Sequence, residues 1–325
     1  MTVGTGGAGT NQYARRTRKT TSPAVKLLSQ IQTQPDPPQE RCGQVWGGRC
    51  PVLVGPPDWS HGRHPTRQVV WRAILESAHP GVLDQASRSP NKLVRRRLAC
   101  NPALPPATIA RLAQDEEVCV RLQIASRRPC PPEILAQLAR DPAEMILVKV
   151  LGNPSCPPGI LEQHSHSGHI RERYQIAENP NTPPAVLDRY ASDNDLYLRR
   201  LVAYNPASSP AVLRKLSGDS HRVIRNRVAS HPACPPEILS QLSQDKSAEI
   251  HQTVANNPAC PPEVIRRWAH SRSAATRLLA AGSPACPPDE LERLLQDRNP
   301  EVIKAAVDNP ALPRAALAMY QLAHQ

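Results

Sequence analysis

Apolar side chains recur along this chain in two short clusters every 26 residues. Val186, Leu187 and Tyr190 in one stretch, and Ile238, Leu239 and Leu242 in another, occupy the i, i+1 and i+4 positions of a short helical face. A second cluster, such as Ile224, Val228 and Ala229, follows in each stretch and predicts a second helix. Segments 101–126, 179–204 and 231–256 align without a gap, and every repeat from residue 101 to 308 starts 26 residues after the last. A weaker repeat spans 75–100, where Pro80, Val82 and Leu83 keep the pattern, and a half repeat begins at Asn309. The chain therefore carries nine full repeats and a remnant. Positions are numbered 1 to 26 from the residue that opens each repeat, so that Asn179 and Asn205 are both position 1.

The polar punctuation sharpens these elements. Positions 5 and 6 are usually Pro-Pro, as in Pro235-Pro236. The second proline suits the first turn of a helix, where a missing N–H costs nothing. Position 15 is Asp in six repeats (Asp115, Asp141, Asp193, Asp219, Asp245, Asp297) and is predicted to N-cap the second helix. Asn-Pro at positions 1 and 2 is predicted to end that helix, with Asn in the left-handed conformation and Pro unable to continue the turn. One repeat cannot bury its own apolar face, so neighbours must stack. The expectation is an all-α solenoid of helix pairs, with some short turns of 3₁₀ type.

The recurring pattern N-P-x-x-P-P-x-x-L…L…D…V-R…V-A, over about residues 75–325, resembles the leucine-rich repeat variant family. The resemblance implies a right-handed superhelix whose repeats pair an α-helix with a 3₁₀ helix, similar to HEAT-type solenoids and without the strands of true leucine-rich repeats. It implies no single activity.

Composition fits such a repeat. The chain has 37 prolines and no phenylalanine, a mixture unsuited to one large globular core but natural where prolines mark repeat boundaries. The net charge of +12 is unevenly spread: residues 1–74 hold 10 Lys/Arg against 3 Asp/Glu, and residues 75–325 hold 30 against 25. The basic excess therefore sits ahead of the repeats. Two domains follow: a disordered basic arm and linker over 1–65, and the repeat solenoid over 66–325, with Thr66–Ser77 expected to cap the first repeat. No apolar run is long enough to span a membrane, and the first residues do not read as a signal peptide, so a cytoplasmic protein with reduced thiols is expected.

Columns of like residues offer candidate chemistry. Position 21 is Arg in six repeats (Arg95, Arg121, Arg173, Arg199, Arg225, Arg277) and His251 in one. Together with the position-15 Asp it reads as a structural ladder tying neighbouring repeats, exemplified by Asp115, Arg121, Asp193, Arg199, Asp219 and Arg225. Arg96, Arg97, Arg200, Arg222 and Arg227 have no regular acidic partner in the pattern and are the binding candidates. Cys130, Cys156, Cys234, Cys260 and Cys286 share position 4, which elsewhere holds Leu104, Thr182, Ser208 and Leu312; such a site is read as small and buried. Cys42 and Cys50 lie outside the repeats. Relatives in the resembled family can carry an iron–sulfur cluster in a Cys-rich N-terminal domain, but a [4Fe–4S] cluster needs four thiolates and this region has two. Cys42, Cys50, His61 and His64 have zinc-type ligand chemistry, although the spacing between the cysteines is wider than usual. Two independent thiols in a loop is the plainer reading, and no cofactor is expected. The repeat 153–178 carries His164, His166 and His169 around its inter-helix turn, a second weak metal candidate.

The chain shows no nucleophile–base pair, no paired carboxylates, no phosphate loop and no His-Glu-x-x-His element. The expectation is a non-enzymatic scaffold with a protein partner and no small-molecule substrate. Nucleic-acid binding through the basic arm and arginines is the second reading, and metal binding at Cys42/Cys50 or His164–His169 the third.

Overall fold

The computed structural model describes residues 79–324; the arm, the linker, the predicted cap Thr66–Ser77 and the four residues Cys42, Cys50, His61 and His64 lie outside them. The described chain is all-α, with nineteen helices of seven to ten residues. Two compact bodies meet in sequence at Ile124/Ala125. The first carries helices Pro80–Ser87, Lys92–Leu98 and Pro106–Leu112, and most of Val118–Ala125. The second carries seven first helices and seven second helices in strict alternation, from Pro132–Leu138 to Pro300–Val307, with Arg314–Ala323 last.

The first helix of a repeat begins because proline makes it begin. In the repeat opening at Asn179, Pro183 is extended (φ −57°, ψ 140°), as a residue preceding proline must be, and Pro184 starts the helix Pro184–Tyr190. The same device opens Pro132–Leu138, Pro158–His164, Pro236–Leu242 and Pro288–Leu294. Helices this short do not persist alone in water. They are held by burial: Ile238, Leu239 and Leu242 from a first helix and Ile224, Val228 and Ala229 from a second are all nearly inaccessible. Each Ile, Leu or Val among them contributes roughly 1.5–3 kcal/mol on leaving water. The layer between helix rows is thin enough to be filled by aliphatics. Tyr190, the largest of the side chains that are almost wholly inaccessible, keeps its hydroxyl satisfied by donating to the Ser165 carbonyl at 2.8 Å.

Two expectations about the punctuation are corrected. Position-1 Asn is not left-handed: Asn179, Asn205 and Asn257 all have extended backbones (φ −71° to −76°, ψ 122° to 126°). The following proline disfavours the helical conformation there and favours an extended one, so the helix stops without a left-handed residue at these positions. Position-15 Asp is not the N-cap. The second helices start at position 18, and the cap falls at position 17, as in Asp195 and Ser273, which accept from Leu198 and Thr276 N–H. The position-15 carboxylate instead closes an Asx-type turn just ahead of the cap: Asp193, Asp219, Asp245 and Asp297 accept from the N–H two residues on at 2.8–2.9 Å.

Candidate binding face and the ladders beneath it

Polar side chains of the repeats fall into those that join one repeat to the next and those that face outward. Three columns do the joining. The first is position 1. Asn205 donates through Nδ2 to the carbonyls of Ala177 (2.6 Å) and Asn179 (2.9 Å), and its Oδ1 accepts from the Ala207 N–H at 2.8 Å. Asn153, Asn179, Asn257 and Asn309 repeat this arrangement, each buried and each bridging the two preceding repeats. At two positions where the column departs from Asn, the substitute keeps some of these bonds. His231 contacts the Asn205 carbonyl through Nε2 and accepts from Ala233 N–H through Nδ1, both at 3.1 Å. Ser283 reaches the Ala255 carbonyl at 2.6 Å.

The second column is the arginine–aspartate ladder. The Arg199 guanidinium donates to both Asp219 carboxylate oxygens, at 2.7 and 3.3 Å, and to the backbone carbonyl of Asp193 at 2.8 Å. One side chain thus fastens the turn of its own repeat to the turn of the next. Arg95 with Asp115, Arg173 with Asp193, Arg225 with Asp245 and Arg277 with Asp297 pair in the same direction at 2.6–2.7 Å. Arg121 bonds the Asp115 carbonyl at 2.7 Å. Hydrogen bonds from Arg225 and Arg277 hold the Asp245 and Asp297 carboxyls below the usual carboxylate range, against the opposing effect of burial. At Asp219 burial is the larger single influence and pushes upward, but the Arg199 and backbone bonds together prevail and its pKa is also lowered.

The third column, at position 11, was not anticipated. Arg111, Arg189 and Arg267 donate to the hydroxyls of Ser87, Ser165 and Ser243 in the preceding repeat, and Arg293 to the Ala269 carbonyl. The five position-4 cysteines are buried, and burial pushes Cys130 and Cys260 up to about 11 and Cys156, Cys234 and Cys286 up to about 12.

The outward set is smaller. Arg96 is exposed and Arg97 half-buried on the helix Lys92–Leu98 of the first body. In the second body Arg222 does have an acidic partner, Glu249, at 3.3 Å, which corrects the expectation from the repeat pattern. Arg200 and Arg227 are engaged differently. Each lies over a tyrosine ring, Arg200 at 4.5 Å from the Tyr197 centroid and Arg227 at 5.2 Å from that of Tyr204. Tyr174 packs edge-on against Tyr197, centroids 4.7 Å apart, and donates to Asp195 at 2.9 Å. These tyrosines do not stand out in the sequence because they belong to none of the regular columns. The available signal was that three of the chain's six tyrosines fall within residues 174–204 at positions outside the apolar pattern.

His164, His166 and His169 do not converge: among the described residues no three His, Cys, Asp or Glu side chains are placed to hold an ion. His164 instead faces the buried Glu172 carboxylate, Nδ1 to Oε2 3.8 Å. No helix of the described residues is long and apolar enough to cross a membrane.

Alternating short helices, stacked at a fixed 26-residue interval and stitched by three polar columns, define a helical-repeat solenoid protein. No family model matches the chain, and no curated protein does. Among solved structures it is similar to one described as a leucine-rich repeat variant with a novel repetitive protein structural motif. The two are 23% identical, the match covers 68% of this chain and 88% of the other, and the TM-score is 0.46.

Proposed function

We propose that the chain is a non-enzymatic scaffold that binds a protein partner through the outward face of its second helices in the repeats opening at Asn153, Asn179 and Asn205. The supporting observation is the contrast between the two polar sets. The regular Asn, Arg and Asp columns are consumed in joining repeats. Left facing outward on two successive second helices are Tyr197, Arg200, Tyr204 and Arg227, with half-buried Tyr174 of the preceding second helix packed against Tyr197 and the exposed apolar side chains Leu196 and Val223 beside them. Tyrosine and arginine are the residues that most often anchor protein interfaces, because they bring large area at little conformational cost. Tyr204 is 67% and Val223 48% exposed, area that association would take from water. A reducing cytoplasmic setting belongs to the same reading, with the five position-4 thiols unpaired.

The test is affinity capture from native lysate by the full chain. A stoichiometric protein partner retained by the wild type and lost by the Tyr197→Ala/Tyr204→Ala variant is expected. Retention that survives the double substitution, or no stoichiometric protein, removes the reading. Nucleic-acid binding is the second reading, favoured by the outward guanidinia of Arg96, Arg200 and Arg227 and the basic first 74 residues. It requires binding that weakens steeply as salt rises.

A further inference from the structure

The outward face also specifies what kind of protein segment it suits. Tyr197, Arg200 and Tyr204 lie at i, i+3 and i+7 and so form one stripe on the helix Leu196–Tyr204. Val223 and Arg227 form the matching i, i+4 stripe on Arg222–Ala229. Each stripe is joined to its neighbour at a spacing of 23 residues, Tyr174 to Tyr197 and Tyr204 to Arg227.

Two of the guanidinia on these helices, Arg200 and Arg227, are left without an acidic partner among the described residues. The carboxylates close by have other partners, three of them arginine ion pairs along the ladder and the rest mostly uncharged donors. Asp193 is held by Arg173, Asp219 by Arg199 and Asp245 by Arg225. Asp195 caps its helix and accepts from Tyr174, Glu249 takes Arg222 and Asn226, Glu172 faces His164, and Glu178 accepts from Gln175. Arg200 and Arg227 have no carboxylate partner among the described residues; their flat faces rest on tyrosine rings instead. A guanidinium stacked on a ring is oriented but not neutralised, and its donor edge stays free for bidentate recognition of a planar anion.

We propose that this face takes an acidic peptide segment of the partner, whose carboxylates meet the edges of Arg200 and Arg227 and whose apolar side chains cover Leu196 and Val223. The inference rests on the protein-binding reading above and gives its partner a chemistry. A single-stranded nucleic acid fits less well. Base stacking needs a run of open ring faces, whereas Tyr197 carries Arg200 over its ring and Tyr174 against it, and Tyr204 carries Arg227. Residues 75–325 also hold 30 Lys/Arg against 25 Asp/Glu, a weak field for tracking a phosphate backbone.

An array of synthetic dodecapeptides tests this, with Glu/Asp interspersed among Leu, Val and Tyr, and matched arrays in which Gln/Asn or Lys replaces the acids. The full-length chain is expected to bind members of the acidic array and not the matched ones. For the best acidic peptide, fluorescence anisotropy should show affinity falling about tenfold or more in Arg200→Gln/Arg227→Gln. The Lys double variant should recover only part of it, because lysine keeps the charge but not the stacked fork. Tyr197→Ala should weaken the same peptide with the fold intact by circular dichroism. No preference for acidic peptides, unchanged affinity in the Gln variant, full recovery by Lys, or oligo-dT and oligo-U binding tighter than any peptide would each overturn the proposal. If the lysate partner is lost with the tyrosines but kept by the Gln variant, the acidic-segment inference fails while the protein-binding reading stands.

Discussion

At the scale of single residues, much of the recurring polarity of the repeat is spent on main-chain groups. Asn205 satisfies two carbonyls and one N–H that would otherwise be buried without partners. Asn205→Ala should therefore cost about 2–3 kcal/mol, the scale set by orphaned buried groups, read as a lower urea midpoint. His231→Asn should be neutral or stabilising, since it places the column's usual residue where histidine reaches only one repeat carbonyl. The thiols make a separate expectation. With burial holding the five position-4 cysteines near 11 to 12, they should resist a disulfide reagent at pH 8 until denaturant is added, while exposed Cys100 reacts at once. Prompt reaction of the five would mean that the repeat interior opens readily.

At the scale of elements, the ladder explains a correlation already present in the sequence. Every position-21 Arg is followed 20 residues later by Asp, whereas Leu147, His251 and Ile303 are followed by Ser167, Ser271 and Ala323. The pair is kept or dropped as a unit, as expected where a buried charge without its partner is the costly case. Arg225→Leu alone should destabilise by about 3 kcal/mol or more, and Arg225→Leu/Asp245→Ser, copying Leu147 and Ser167, should recover most of that loss in a double-mutant cycle. The same pairs set the acid limb of stability. Asp245 and Asp297 have folded pKa values below the usual range, so their contribution is complete above the unfolded carboxyl value of about 3.9 and is lost as pH falls through the lower folded value. The urea midpoint should drop below about pH 4, and Asp245→Asn should make that drop shallower. His164 and Glu172 form another coupled exception, replacing two apolar positions of one repeat with a buried polar contact.

At the scale of the whole molecule, stability is a sum of like layers, and this can be tested by removing one. Deleting residues 205–230 joins Tyr204 to His231 in register and brings Asp245 to the spacing from Arg199 that Asp219 now holds. The shortened chain should fold with unchanged helicity per residue and a lower m-value, whereas deleting 205–217 alone should abolish cooperative unfolding. The sequence alone determined the repeat length, the two-helix content, the core positions and the proline-marked helix starts, because these are local patterns that recur and check one another. Tertiary structure decided which atoms the polar columns reach. The bonds of Asn205 span 26 and 28 residues and the Arg–Asp pair spans 20, distances at which local propensity has no say. That is why a capping residue and a left-handed stop were expected where an Asx turn and an inter-repeat bridge are found. It is also why the tyrosine–arginine face emerged only once three helices were set side by side.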